Sequence, residues 1–124
     1  MKKVGILVFF GLVLILTACS GTSLESVHNN LELRYRRNAT LASDGSYIAI
    51  TVNWSCPRND DDILCGASHA LDDVLDELGF ESAVRRRMGE TRALDGRQTA
   101  ENADFRVSWT FHPNDGLQVL FENN

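Results

Sequence analysis

The sequence predicts an α+β fold: an antiparallel sheet of four or five strands with one amphipathic helix packed on one face, in the order ββαβ(β)β. Three observations predict it. Phe105, Val107, Trp109 and Phe111 alternate with polar residues, the run His112-Pro113-Asn114-Asp115-Gly116 turns the chain, and Leu117, Val119 and Phe121 return on one face, which is the pattern of a hairpin. Leu64, Ala67, Leu71, Val74, Leu75 and Leu78 recur at helical spacing, with Asp72, Asp73, Asp76 and Glu77 mostly between them. Ile48, Ile50, Val52 and Trp54 alternate with Ala49, Thr51 and Asn53 behind an Asp44-Gly45 turn.

Along the chain, Met1-Lys2-Lys3 is followed by an uninterrupted apolar run from Val4 to Leu16 and the small residues Thr17-Ala18. A basic start, a short apolar segment and a small-residue cleavage site make a secretory signal over 1–18. The run is too short to span, since about 30 Å of hydrocarbon needs roughly 20 apolar residues. Residues 19–30 are polar and small and predict a tether, so the domain occupies 31–124. Leu31, Leu33 and Tyr35 alternate with Glu32, Arg34 and Arg36, which predicts a strand. This strand and the one ending at Trp54 would form the first hairpin.

The predicted helix covers 63–78. Asp60, Asp61 and Asp62 stand where carboxylates cap orphan amides and meet the positive dipole end, while Gly79 and Phe80 form its stop. The same aspartates lack the spaced ligands, glycine turn and distal glutamate of a calcium loop. Residues 81–104 carry less pattern. Glu81-Ser82-Ala83-Val84 predicts a short strand, Arg85-Arg86-Arg87 a solvated turn, and the stretch with Gly89 and Gly96 a loop or irregular strand.

Composition narrows the function. Cleavage before Cys19 removes both lysines and leaves ten arginines against 17 acidic residues, a balance unsuited to nucleic acid or to a polybasic membrane clamp. The stretch Leu16-Thr17-Ala18-Cys19 resembles the lipobox of bacterial lipoproteins. That resemblance implies a diacylglycerol thioether on Cys19, which becomes the first residue and is then N-acylated; two or more chains anchor stably where one is marginal. Ser20, where an aspartate would favour inner-membrane retention, points to the outer membrane and its periplasmic face. In outline, Leu78-Gly79-Phe80 followed by Ala103-Asp104-Phe105 is similar to small uncharacterised periplasmic lipoprotein domains, which supply no catalytic residues to carry over.

With Cys19 lipidated, Cys56 and Cys65 remain as an even pair in an oxidising compartment and predict one structural disulfide, worth about 2.5–3 kcal/mol for a loop of about ten residues. Their spacing is not that of a redox Cys-x-x-Cys pair, and His28, His69 and His112 are too scattered to complete a zinc site. No metal and no cofactor is expected. Neither His69 nor His112 has a nucleophile paired with it by a motif, so a hydrolytic enzyme ranks last. Arg85, Arg86 and Arg87 are candidates for an anion or partner contact, weighed against solvation or pairing with neighbouring carboxylates.

The favoured function is a lipid-anchored, non-enzymatic envelope protein that binds another envelope protein. About ten residues would separate lipid from domain, which keeps partners near the bilayer. The alternative is a small-ligand or hydrolase-inhibitor module, with residues 85–98 as its protruding segment or a groove lined by Tyr35, Trp54 and Trp109.

Overall fold

The computed structural model describes residues 21–35, 38–53 and 66–124. In chain order these form helix α1 (Leu24–Tyr35), strands β1 (Thr40–Leu41) and β2 (Tyr47–Val52), and helices α2 (Gly66–Glu77) and α3 (Ser82–Glu90). A single 3-10 turn (Ala93–Asp95) follows, then strands β3 (Gln98–Glu101), β4 (Phe105–His112) and β5 (Gly116–Asn123). The strands make one antiparallel sheet in the order β1-β2-β5-β4-β3. The α+β class and the five-stranded antiparallel sheet therefore stand. The single helix and the order ββαβ(β)β do not, because α1 and α3 replace two expected strands.

The last hairpin forms as the alternation requires, with Trp109 opposite Val119 and Phe111 opposite Leu117. β5 is the central strand, so its Leu117, Val119 and Phe121 meet β2 on one side and β4 on the other. Together with Ile48, Ile50, Val52, Phe105, Val107 and Trp109 they form the sheet side of the core. α2 covers this face with Ala67, Ala70, Leu71, Val74 and Leu75. Its end is a Schellman closure, as Gly79 and Phe80 predict: the Phe80 amide donates to the Leu75 carbonyl at 2.8 Å and the Gly79 amide to Asp76 at 3.1 Å. Residues 63–65 of the expected helix lie outside the described residues.

The expected tether and first strand are both corrected by α1. Leu24, Val27 and Leu31 are buried at helical spacing, at 2%, 0% and 3% exposure. Ser23 and Ser26 cap it reciprocally: the Ser26 amide donates to Ser23 Oγ at 3.2 Å and the Ser23 amide to Ser26 Oγ at 3.3 Å. Leu33, which created the apparent alternation, points into solvent at 85% exposure. The Asp44-Gly45 turn does form, but it joins β2 to the two-residue β1, with Ala42 donating to the Tyr47 carbonyl at 2.9 Å.

The strand expected at Glu81–Val84 and the turn at Arg85–Arg87 are likewise corrected: both belong to α3. Val84 and Met88, one turn apart, bury its inner side, and the arginines between them are strong helix formers on the outer sides. All described helices lie against one face of the sheet, and among the described residues no helix covers the other face. Successive rows there are Tyr47, Glu122, Arg106, Glu101, then Ala49, Leu120, Ser108, Thr99. Among the described residues, no helix is long and apolar enough to cross a membrane. Cys19, Cys56 and Cys65, and with them the expected lipid site and disulfide, lie outside the described residues, as do Trp54 and Asp60–Asp62.

Candidate functional site

The three consecutive arginines diverge because helical neighbours are about 100° apart. Arg85 turns to α2, where its Nε donates to Asp72 and its Nη2 to Ser68 Oγ at 3.2 Å. Arg86 pairs with Glu90 one turn on, at 2.9 Å, in full view of solvent. Arg87 turns to the sheet: its Nη2 donates to the Thr99 carbonyl at 3.3 Å and its guanidinium lies 5.1 Å from the centre of the Trp109 ring. The three side chains thus have three different sets of partners, and the member that meets the sheet is Arg87.

Trp109 is fully buried, and its indole N–H donates to Thr91 Oγ1 at 2.8 Å. That hydroxyl in turn donates to the Arg87 carbonyl at 2.7 Å. The end of α3, the aromatic floor and the guanidinium above it are thereby fixed to one another. They line a shallow cleft of about 320 Å³ together with Glu90, Asp95 and Gln98.

The 3-10 turn forms one wall of this cleft and is braced at both ends. The Arg92 amide donates to Asp95 Oδ2 at 2.7 Å, the Asp95 amide to the Arg92 carbonyl at 3.0 Å, and Gln98 Nε2 to the Asp95 carbonyl at 2.8 Å. The Arg92 amide, with help from its guanidinium, holds the Asp95 carboxyl below its ordinary range. At the centre of the braced turn Leu94 stands 98% exposed. The turn falls within the candidate segment 85–98, but nothing in the sequence singles out Leu94. An isolated leucine between Ala93 and Asp95 carries no periodicity.

The other candidates are dispersed. Tyr35, expected in a groove with Trp54 and Trp109, sits at the end of α1, stacks on His69 with ring centres 6.5 Å apart, and donates its hydroxyl to Asp73 at 2.8 Å. Asp73 also receives Arg34 at 3.0 Å, so this cluster clamps α1 to α2. His112 ends β4 at the hairpin turn, where its Nδ1 lies 3.3 Å from Asp115 and accepts the Asn114 amide. Neither histidine meets a hydroxyl or thiol among the described residues.

Comparison with known proteins finds no matching family model, no matching curated protein and no matching solved structure.

Proposed function

We propose that this chain is a lipid-anchored, non-enzymatic protein of the cell envelope that binds another envelope protein through the Leu94 turn. The lipid is carried on Cys19, and the domain faces the periplasm from the outer membrane. One observation carries the binding part: a leucine held 98% exposed on a turn whose backbone is locked by Arg92, Asp95 and Gln98. Covering such a side chain gains about 1.5–3 kcal/mol, and a turn already fixed has little ordering cost left to meet on association. The Arg87 guanidinium and the Asp95 carboxylate beside it offer polar contacts at the rim. The engagement of His69 by Tyr35 and of His112 by its own turn supports binding over catalysis.

The test places a photo-crosslinking residue at position 94 of the full chain in its native envelope, with position 51 on the open sheet face as control. A discrete protein adduct from position 94, absent from position 51, is expected. Equal labelling from both positions refutes the assignment of the turn. The anchor is tested separately by intact mass, where Cys19 to Asn124 plus acyl chains is the expected species. A second reading, a small anionic ligand seated on Arg87 over Trp109, is favoured by the cleft itself. It predicts that R87A, and not L94A, abolishes binding.

A further inference from the structure

β3 is one edge of the sheet, and among the described residues nothing pairs with its outer side. The direction of its backbone groups follows from the register. β3 and β4 meet with Gln98 opposite Trp109 and Glu101 opposite Arg106. In the same register the Asn102 amide donates to the Phe105 carbonyl at 2.9 Å, making that a hydrogen-bonded pair. Antiparallel ladders alternate, so Ala100 and Gln98 turn their N–H and C=O toward β4, while Glu101 and Thr99 turn theirs outward. Arg87, which reaches the Thr99 carbonyl at 3.3 Å from outside the ladder, agrees with this. Continuing by one residue, Arg97 also faces outward.

The outward set Arg97, Thr99, Glu101 is complementary to itself. A second β3 laid antiparallel about a two-fold axis at Thr99 places Thr99 opposite Thr99, and Arg97 opposite Glu101 twice. All six outward N–H groups then find outward carbonyls. The side chains agree as well: Arg97 lies on the open face, where its Nη1 donates to Ser108 Oγ at 2.9 Å, and Glu101 lies there too, bonded to Arg106 at 2.7 Å. In the paired edge each Glu101 would stand between Arg106 of its own chain and Arg97 of the other. Opposite charges directly across a ladder stabilise it, and like charges oppose it. A one-residue slip puts inward-turned groups at the junction and a two-residue slip parts the charges, so the register is specified.

The geometry points to β3 as a self-association edge: two copies of this chain join through antiparallel β3 strands centred on Thr99, making one continuous ten-stranded sheet. The occupant is a second copy because the charge order Arg97, Thr99, Glu101 matches its own reverse. The Arg87 guanidinium lies on the Thr99 carbonyl that the partner amide would use, so pairing requires it to move aside or to share that oxygen through its second lone pair. This inference is independent of the Leu94 reading and of the lipid.

The test is sedimentation of the full chain in mild detergent across a concentration series, at low and high salt. Wild type is expected to shift from one to two copies with concentration, less readily at high salt because both ion pairs are exposed. E101R turns both cross-strand pairs into Arg-Arg and R97E turns both into Glu-Glu, and each is expected to weaken self-association at least about tenfold. Mixed in equal amounts, the two variants restore association, because every cross pair is again opposite in sign. That rescue also shows that both variants fold. T99P removes the central outward N–H without touching the β4 ladder and is expected to leave a folded monomer. A single-copy mass for wild type under all conditions overturns the inference, as does E101R associating as tightly as wild type, or a mixture no tighter than its components.

Discussion

Gly116→Ala should cost this domain a large part of its stability, and the structure supplies the magnitude. Gly116 opens β5 at φ +87, and a Cβ there would stand 2.2 Å from the Val52 carbonyl oxygen and 3.0 Å from the Asn53 Cα. Two costs combine. An L residue in the left-handed region costs about 1–2 kcal/mol. Relieving an overlap with backbone, which has no rotamer to change, requires parting β2 from the hairpin where Val52 pairs with Leu117, an overpacking cost of about 1–3 kcal/mol. The total, about 2–5 kcal/mol, is a substantial share of the about 5–15 kcal/mol that holds a typical domain. Gly45→Ala is the internal control: φ is +72 but nothing lies within 4 Å of its Cβ, so only the first cost applies. Urea unfolding followed by the fluorescence of the buried Trp109 gives both values, provided the slopes match. If the two variants unfold within about 1 kcal/mol of each other, the close approach of hairpin and β2 is wrong.

Other outcomes follow from single contacts. Leu24→Ala should destabilise by about 2–5 kcal/mol in the same urea assay, because the residue belongs to the core; a value near zero would return the segment to a tether. Thr91→Val strands the buried indole N–H of Trp109 and should cost about 1–3 kcal/mol, while Thr91→Ser keeps the acceptor; equal midpoints for the two would refute the bond. Leu94→Asp should leave stability within about 0.5 kcal/mol of wild type yet abolish the adduct that the proposed partner gives with a photo-crosslinking residue at the exposed neighbour Ala93, and an unfolded variant would contradict the exposure of Leu94. The Asp95 carboxyl is held below its ordinary value of 3.8, chiefly by the Arg92 amide, so the bracing it gives is complete above that value and lost as pH falls through the lowered one. The protection of the Arg92 amide, read by NMR as its exchange rate relative to the intrinsic base-catalysed rate at each pH, should fall on acidification of wild type and show no such step in D95N.

The parts of the fold legible in the sequence are those with one dominant period. The β4–β5 hairpin alternates cleanly for two strands, and α2 repeats its apolar stripe for three turns before a glycine stop. α1 is ambiguous in a way residue types alone do not resolve. Leu31, Leu33 and Tyr35 satisfy a period of two, while Leu24, Val27 and Leu31 satisfy the helical one, and the polar residues between the latter look like a linker. Packing against α2 and the sheet decides in favour of the helix, aided by the Ser23–Ser26 cap. α3 offers only Val84 and Met88 as its stripe, with a glycine near its end, and three adjacent charges hide the spacing. Arg87 and Trp109 each stand out in the sequence, but their stacking joins α3 to β4, a long-range outcome. The exposure of Leu94 likewise belongs to the folded turn and to no local pattern.

The start of α1 at Leu24 bears on how the whole molecule stands. Only four residues, Ser20 to Ser23, separate Cys19 from the helix, and fully extended they reach at most about 14 Å. With the lipid proposed on Cys19, the capped end of α1 is held at the height of the headgroups and the domain cannot swing outward on a leash. So short a tether fixes the distance from the bilayer and leaves rotation about it free, and encounters become a search confined to a plane. Crowding per unit area of membrane, more than concentration in the surrounding fluid, then sets how often two such domains, or a domain and its partner, meet.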